Sequence, residues 1–179
     1  MADSKPYWKP FLVGENPVGL SHLEPIDFTC QAPDKPVRRI HAVFSDHVFT
    51  TAFNEATHNL DQLIFRNRVF CADRYRDSFL LPEIISKLPS AKVIQTWEKR
   101  NYVYYIRLAS KDVAKPYHVF FELKKRGKGQ NGSVELRVES AYQMDSTYSN
   151  PNSQSNSIKF FNLVENTYMG RPIKFAHRK

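Results

Sequence analysis

Tyr117-His118-Val119-Phe120-Phe121-Glu122-Leu123-Lys124 and Val134-Glu135-Leu136-Arg137-Val138-Glu139-Ser140-Ala141-Tyr142 are the two runs that decide the fold. In the first, Tyr117, Val119, Phe121 and Leu123 alternate with His118, Phe120, Glu122 and Lys124. In the second, which is read as a strand from Ser133 to Tyr142, Val134, Leu136 and Val138 alternate with Glu135, Arg137 and Glu139. Successive side chains of a strand point to opposite faces, so each run predicts a strand with one packed face and one face toward solvent or substrate. Two β-prone runs precede them, Lys92 to Trp97 and Arg100 to Leu108. The connections are short: Glu98-Lys99, Ala109 to Pro116, and Lys125 to Gly132 with its three glycines. Short polar turns between consecutive strands predict a four-stranded antiparallel meander.

On the N-terminal side, Arg39 to Phe44 and Val48 to Phe53 flank Ser45-Asp46-His47, a spacing that predicts a hairpin. Thr57 is placed to cap a helix over His58 to Ile64. A longer helix fits Ala72 to Leu88, and Pro82 inside it predicts a kink or a break into two pieces. Beyond the meander, the polar stretch 145–157 reads as a mobile loop, and Ile158 to Val164 as a strand or short helix returning to the core, with Gly170 and Pro172 as a stop. Residues 1–36 hold six of the eleven prolines, which argues against a long helix or a central strand there. The organisation expected is an extended Pro-rich arm, 1–36, and a single α+β domain, 37–179, in which hairpin and helices pack on the meander.

Composition bounds the function. Apolar residues make up 41% of the 179, enough to close one core, and no apolar run approaches the ~20 residues that cross a bilayer. The opening MADSKPYWKPFLVG lacks an apolar stretch and predicts no secretory signal, so a cytoplasmic protein without a membrane partner is expected. Cys30 and Cys71 form no Cys-x-x-Cys pair and read as two reduced thiols. Lys and Arg outnumber Asp and Glu by 26 to 18, a net charge of +8 that favours an anionic partner.

Gly-rich phosphate loops, dinucleotide fingerprints, Gly-x-Ser-x-Gly and His-Glu-x-x-His are all absent from the sequence, and the six histidines show no metal-pair spacing. No cofactor and no metal site is therefore expected. Side-chain chemistry in a basic protein points to RNA cleavage, in which the 2′-hydroxyl attacks its own phosphate. Such a site needs a general base, cations beside the phosphate, and hydroxyls to position it. Residues of these types are His58, Arg68, Arg74, Arg76, Lys99, Arg100, His118, Glu122, Lys124, Arg137, Glu139, Ser140 and Tyr142. Trp97 beside Lys99 offers a base-stacking ring. The plain alternative is that Arg74 and Arg76 pair with Asp73, Asp77 or Glu83, and that His58 is a surface group.

Arg68-Val69-Phe70-Cys71-Ala72-Asp73-Arg74-Tyr75-Arg76, the helix ending near Leu88, Val93-Ile94, the strand Asn101 to Leu108, and Val138-Glu139-Ser140-Ala141-Tyr142 follow one another in order. This order resembles the RNase superfamily that groups barnase, EndoU, colicin-type and RelE-type toxins, in its phage- and mobile-element-encoded branch. The likeness spans roughly residues 58 to 142. It implies Ser140 and Tyr142 as phosphate-facing groups, Arg74 or Arg76 near the scissile phosphate, and His58 as general base. Arg68, Trp97, Lys99, Arg100, Lys124 and Arg137 would bind substrate. One conflict stands in the sequence: Ser140 and Tyr142 share parity with Val134, Leu136 and Val138, the packed face. Either a bulge near Glu139 changes the register or the strand leaves the core before Ser140; otherwise Glu139 is the exposed candidate.

The expected function is thus a toxin-like, metal-independent endoribonuclease acting on RNA, restrained by an acidic antitoxin or immunity protein. The alternative is a non-catalytic basic protein of a phage or mobile element that binds nucleic acid or a partner.

Overall fold

The computed structural model describes residues 6–96, the strand backbone of 102–107, and residues 116–127, 133–144 and 157–173. In chain order the described elements are β1 (Phe11–Val13), β2 (Asn16–Val18), β3 (Ile26–Cys30), β4 (Arg38–Phe44), β5 (Thr50–Ala52), β6 (Leu63–Phe65) and β7 (Arg68–Phe70). Then come α1 (Ala72–Ser78), α2 (Leu81–Lys87), β8 (Lys92–Gln95), β9 (Tyr102–Arg107), β10 (Pro116–Lys125), β11 (Ser133–Gln143), β12 (Ser157–Lys159) and α3 (Phe160–Met169). Strands predominate, and the fold is α+β.

The main sheet has the order β12-β8-β9-β10-β11-β4-β3. Alternating apolar residues make β8 to β11 consecutive antiparallel neighbours. In the middle of the sheet β11 pairs parallel with β4, Ser133 to Val138 facing Arg39 to Phe44. The antiparallel edges are β3 on β4 and β12 on β8. A smaller sheet, β5-β7-β6, stands apart.

One face of the main sheet is the core. Ile40, Ala42, Phe44, Tyr117, Val119, Phe121, Val134, Leu136, Val138 and Ala141 are buried there against Leu81, Ile84, Ile85 and Leu88 of the α2 segment and Phe160, Leu163 and Val164 of α3. Burying a side chain of this size stabilises the fold by about 1.5–3 kcal/mol. The opposite face carries His41, His118, Phe120, Glu122, Glu135 and Tyr142, all partly exposed, and the exposed Arg39 and Arg137.

Three expectations meet a different structure. Residues 39–44 and 48–53 do not form a hairpin, because β4 and β5 belong to separate sheets. The Ser45 N–H donates to the Val138 carbonyl (2.9 Å), tying the end of β4 to β11. The Ser45 hydroxyl accepts the His47 N–H, starting a single 3₁₀ turn over Asp46–Val48 that carries the chain across to the smaller sheet. The helix expected over 58–64 is a 3₁₀ turn, Leu60–Gln62, followed by β6. Asn59 and Gln62 close a reciprocal capping pair there, and Leu63 pairs with Val69, so cross-strand pairing outweighs local helix preference. Residues 6–36 are not a bare extended arm: Leu20, Leu23 and Cys30 are buried, and β3 is an edge strand of the main sheet. Trp8 and Phe11 pack on Phe49 and Phe65.

Pro82 does break the 72–88 segment, into α1 and α2. Gly170, in the left-handed region at φ 64°, ends α3. Of the expected 145–157 loop, 145–156 lie outside the described residues and Ser157 begins β12.

Candidate functional site

A bulge in β11 builds the site. Phe120 faces Ser140 and Phe121 faces Val138, so Glu139 is an extra residue with no partner of its own on β10. Before it, Val134, Leu136 and Val138 point into the core; after it, Ala141 does. The bulge therefore resolves the parity conflict and brings Ser140 and Tyr142 to the face that carries Arg137 and Glu139. β4 leaves β11 at Val138, and the 3₁₀ turn after Ser45 takes its place along this edge. The Ser45 hydroxyl donates to the Glu139 carbonyl at 2.6 Å, fixing the bulge from outside the ladder.

Arg74, on α1, reaches the same place. Its Nη1 donates to the carbonyls of His47 (2.9 Å) and Thr50 (3.0 Å), and its guanidinium lies 4.7 Å from the centre of the Tyr142 ring. These two bonds occupy one nitrogen, and a guanidinium has five N–H donors, so Nε and Nη2 are left for an anion. Arg68, on β7, donates from Nε to Thr50 Oγ1 (2.6 Å) and from Nη2 to the Thr50 carbonyl (2.9 Å), with Asp46 Oδ2 at 3.6 Å. Its side chain is mostly buried, and that burial draws its pKa downward.

His47 sits exposed on the turn beside these cations. Partial desolvation lowers the pKa of its imidazole, and Arg68, Arg74 and Arg137 push in the same direction against Asp46. These influences favour the uncharged form of the ring in a cationic surround. Across the bulge Glu139 ion-pairs with Arg137 at 3.1 Å. Burial raises the Glu139 pKa, and the neighbouring Glu122 carboxylate adds to the rise against the pull of Arg137 and Lys124. A carboxyl with a raised pKa and an imidazole with a lowered one thus flank one patch of guanidinium groups.

The sequence-derived candidates divide accordingly. Arg68, Arg74, Arg137, Ser140 and Tyr142 are brought to this end of β11. Lys124 lies farther along β10, paired with Glu122. Arg76 is turned to Asp73 (2.9 Å) and Asp77 (3.0 Å), the ion-pair alternative. His58 stands elsewhere: Nδ1 accepts the Asn54 N–H (3.0 Å), and the ring lines a cavity of ≈ 360 Å³ with Leu12, Asp61 and Phe70. Trp97, Lys99 and Arg100 lie outside the described residues. His47 is the group that sequence reasoning passed over, because Ser-Asp-His between two β-prone runs reads as a turn.

The family model described as the YjaZ family matches residues 10–168. The chain belongs to the YjaZ family. The span shared with the YjaZ family holds every residue of the cluster, from His47 to Tyr142. The family description names no activity. No curated protein and no solved structure matches the chain. Among the described residues no helix is long and apolar enough to cross a membrane.

Proposed function

We propose that this chain is an endoribonuclease that cleaves RNA without a metal, by 2′-hydroxyl transphosphorylation at the β11 bulge. The observation that carries the reading is the position of His47, exposed on the turn that Ser45 ties to the bulge and beside Arg74, with desolvation and the neighbouring arginines drawing its pKa downward. In this reading His47 takes the proton of the 2′-hydroxyl as its oxygen attacks the adjacent phosphorus. Arg74 and Arg137 hold the non-bridging oxygens as charge develops on them, which is where preorganised donors act most strongly. The departing 5′-oxygen takes its proton from water or from the acid form of Glu139, which burial favours over that of an exposed glutamate. The bond to that oxygen breaks as the bond to the 2′-oxygen forms, leaving a 2′,3′-cyclic phosphate and a 5′-hydroxyl. Ser140 and Tyr142 supply hydroxyls on the same face. An acidic restraining protein would meet the same cationic rim.

The test is incubation of the full chain with total RNA and tRNA in EDTA, beside His47→Gln, Ser140→Ala and His58→Ala. Cleavage ending in cyclic phosphate and lost in His47→Gln supports the reading. Cleavage lost in His58→Ala but kept in His47→Gln would return the base to His58. Intact RNA with salt-sensitive gel shifts would make the protein a binder alone.

A further inference from the structure

The cavity beside His58 is bounded by β1 and by the smaller sheet. Leu12 and Val13 of β1 line one part of it, and Ile64, Val69 and Phe70 of β6 and β7 another. Its volume of ≈ 360 Å³ stands at the small end for ligand pockets, room for one compact molecule. Three polar side chains share the lining: His58, Asp61 and Gln62. Two of them are held by local turns. The Asn54 carbonyl accepts the His58 N–H (2.9 Å), and His58 Nδ1 accepts the Asn54 N–H in return (3.0 Å). A ring nitrogen that accepts carries no proton, so the one N–H of this imidazole is on Nε2, free to donate. Gln62 Oε1 accepts the Asn59 N–H (2.9 Å), which leaves its amide NH₂ to donate. Asp61 is exposed, and among the described residues its carboxylate has no hydrogen-bond or ion-pair partner.

Charge sets this place apart from the rest of the chain. Residues 10–34 hold four acids and residues 40–65 hold three, and neither stretch contains a Lys or Arg, although the chain has 26 of them. These two stretches supply β1, His58, Asp61 and Gln62. Arg66, in the turn between β6 and β7, is not part of the lining, and Arg68 is committed to Thr50 and Asp46. The cavity therefore offers one carboxylate, two fixed donors and an apolar wall. We infer that it binds a primary ammonium carried on a small apolar group with a carbonyl oxygen beside it. That chemistry is shared by an apolar amino-acid amide and by the N-terminal residue of a peptide. The ammonium meets Asp61, the carbonyl accepts from His58 Nε2 or from the Gln62 amide, and the apolar group lies against Val69 and Phe70. An anion would find no cation in the lining and would be repelled by Asp61. A wholly apolar ligand would strip water from three polar groups and give them no partner, which is costly. The inference goes beyond the ribonuclease reading and does not depend on it.

The experiment titrates the full ¹⁵N-labelled chain with leucinamide, N-acetylleucinamide and leucyl-glycyl-glycine, taking Kd from amide shifts in residues 58–64. Leucinamide should bind. The acetylated form, which has lost its charge, should bind at least about tenfold more weakly, the worth of one charge-assisted hydrogen bond. Asp61→Asn, at an exposed position with no bond to lose, should fold as wild type and weaken leucinamide by the same factor while leaving the acetylated form unchanged. A tripeptide that binds at least as tightly as leucinamide makes a peptide N-terminus the source of the ligand. A tripeptide that binds more weakly makes a free amine the source, and the site stands in either case. Absence of shifts with both amines overturns the site. So does equal affinity for the acetylated form, or undiminished leucinamide binding in Asp61→Asn.

Discussion

Phe120 and Phe121 are adjacent on β10 and belong to different halves of the molecule. Phe121 is fully buried, edge-on to Phe160 of α3 with ring centres 6.0 Å apart. Phe120 is partly exposed and lies nearly parallel to Tyr142. Alternation along one strand thus separates what holds the sheet together from what it offers to a ligand. Substitutions on the two faces should therefore fail different assays.

His47→Gln should make the sharpest cut, lowering cleavage by about 10²–10⁴-fold, the worth of a positioned general base, while thermal unfolding stays near wild type. A parallel loss of melting temperature would mean the turn is structural and would blur the comparison. Phe121→Ala should do the reverse, destabilising the fold by about 3–5 kcal/mol in urea titration through the cavity it leaves. Next on the packed side is Arg38, which reaches from β4 to Glu165 of α3 in a two-pronged pair (2.7 and 3.0 Å), with side chains only 13% and 9% exposed. Arg38→Met strands that carboxylate and should cost about 3 kcal/mol. Arg38 also holds the Glu165 pKa below the usual glutamate range. Stability from this pair is therefore complete above the ordinary glutamate pKa and is lost as pH falls through the lowered one. A pH–stability curve of Arg38→Met should lack that acid-side decline.

Phe120→Ala belongs at the weaker end for stability, at about 1 kcal/mol or less. A large loss would show that the two faces are not separable. The smallest effect expected is on the pH profile of kcat/KM. Its acid limb should lie below that of an ordinary histidine, because His47 loses its proton more readily. Arg137→Gln removes one of the charges responsible and should move the limb to higher pH. A limb that stays or moves down would take His47 out of the base role.

Strand positions were legible because the alternation of Val, Leu, Phe and Tyr is local and strong. The run read as 117–124 is Pro116–Lys125, and the run read as 133–142 is Ser133–Gln143. The bulge was legible as a contradiction, since Ser140 and Tyr142 suited the outer face yet carried the parity of Val138. What β4 pairs with was not legible, because a parallel partner lies far along the chain and adjacent β-prone runs suggest a hairpin first. Arg74 and Arg76 could not be told apart either. Two positions on a helix differ by about 200° of rotation, so one faces Tyr142 and the other Asp73, and only the placement of α1 decides which. His47 looked like turn material for the same reason that Ser45 did.

The parallel pairing of β4 with β11 sets an order of events for folding. The bond from Ser45 to Glu139 spans 94 positions, and the cluster draws His47, Arg68 and Arg74 from one side of that interval and Arg137, Glu139, Ser140 and Tyr142 from the other. Contacts so far apart must close a long loop before they are rewarded, which slows folding. As the chain leaves the ribosome, its N-terminal cations are exposed well before the strand that completes their site has been made. A site arranged this way is complete only once β4 has found β11, however early its first residues are made.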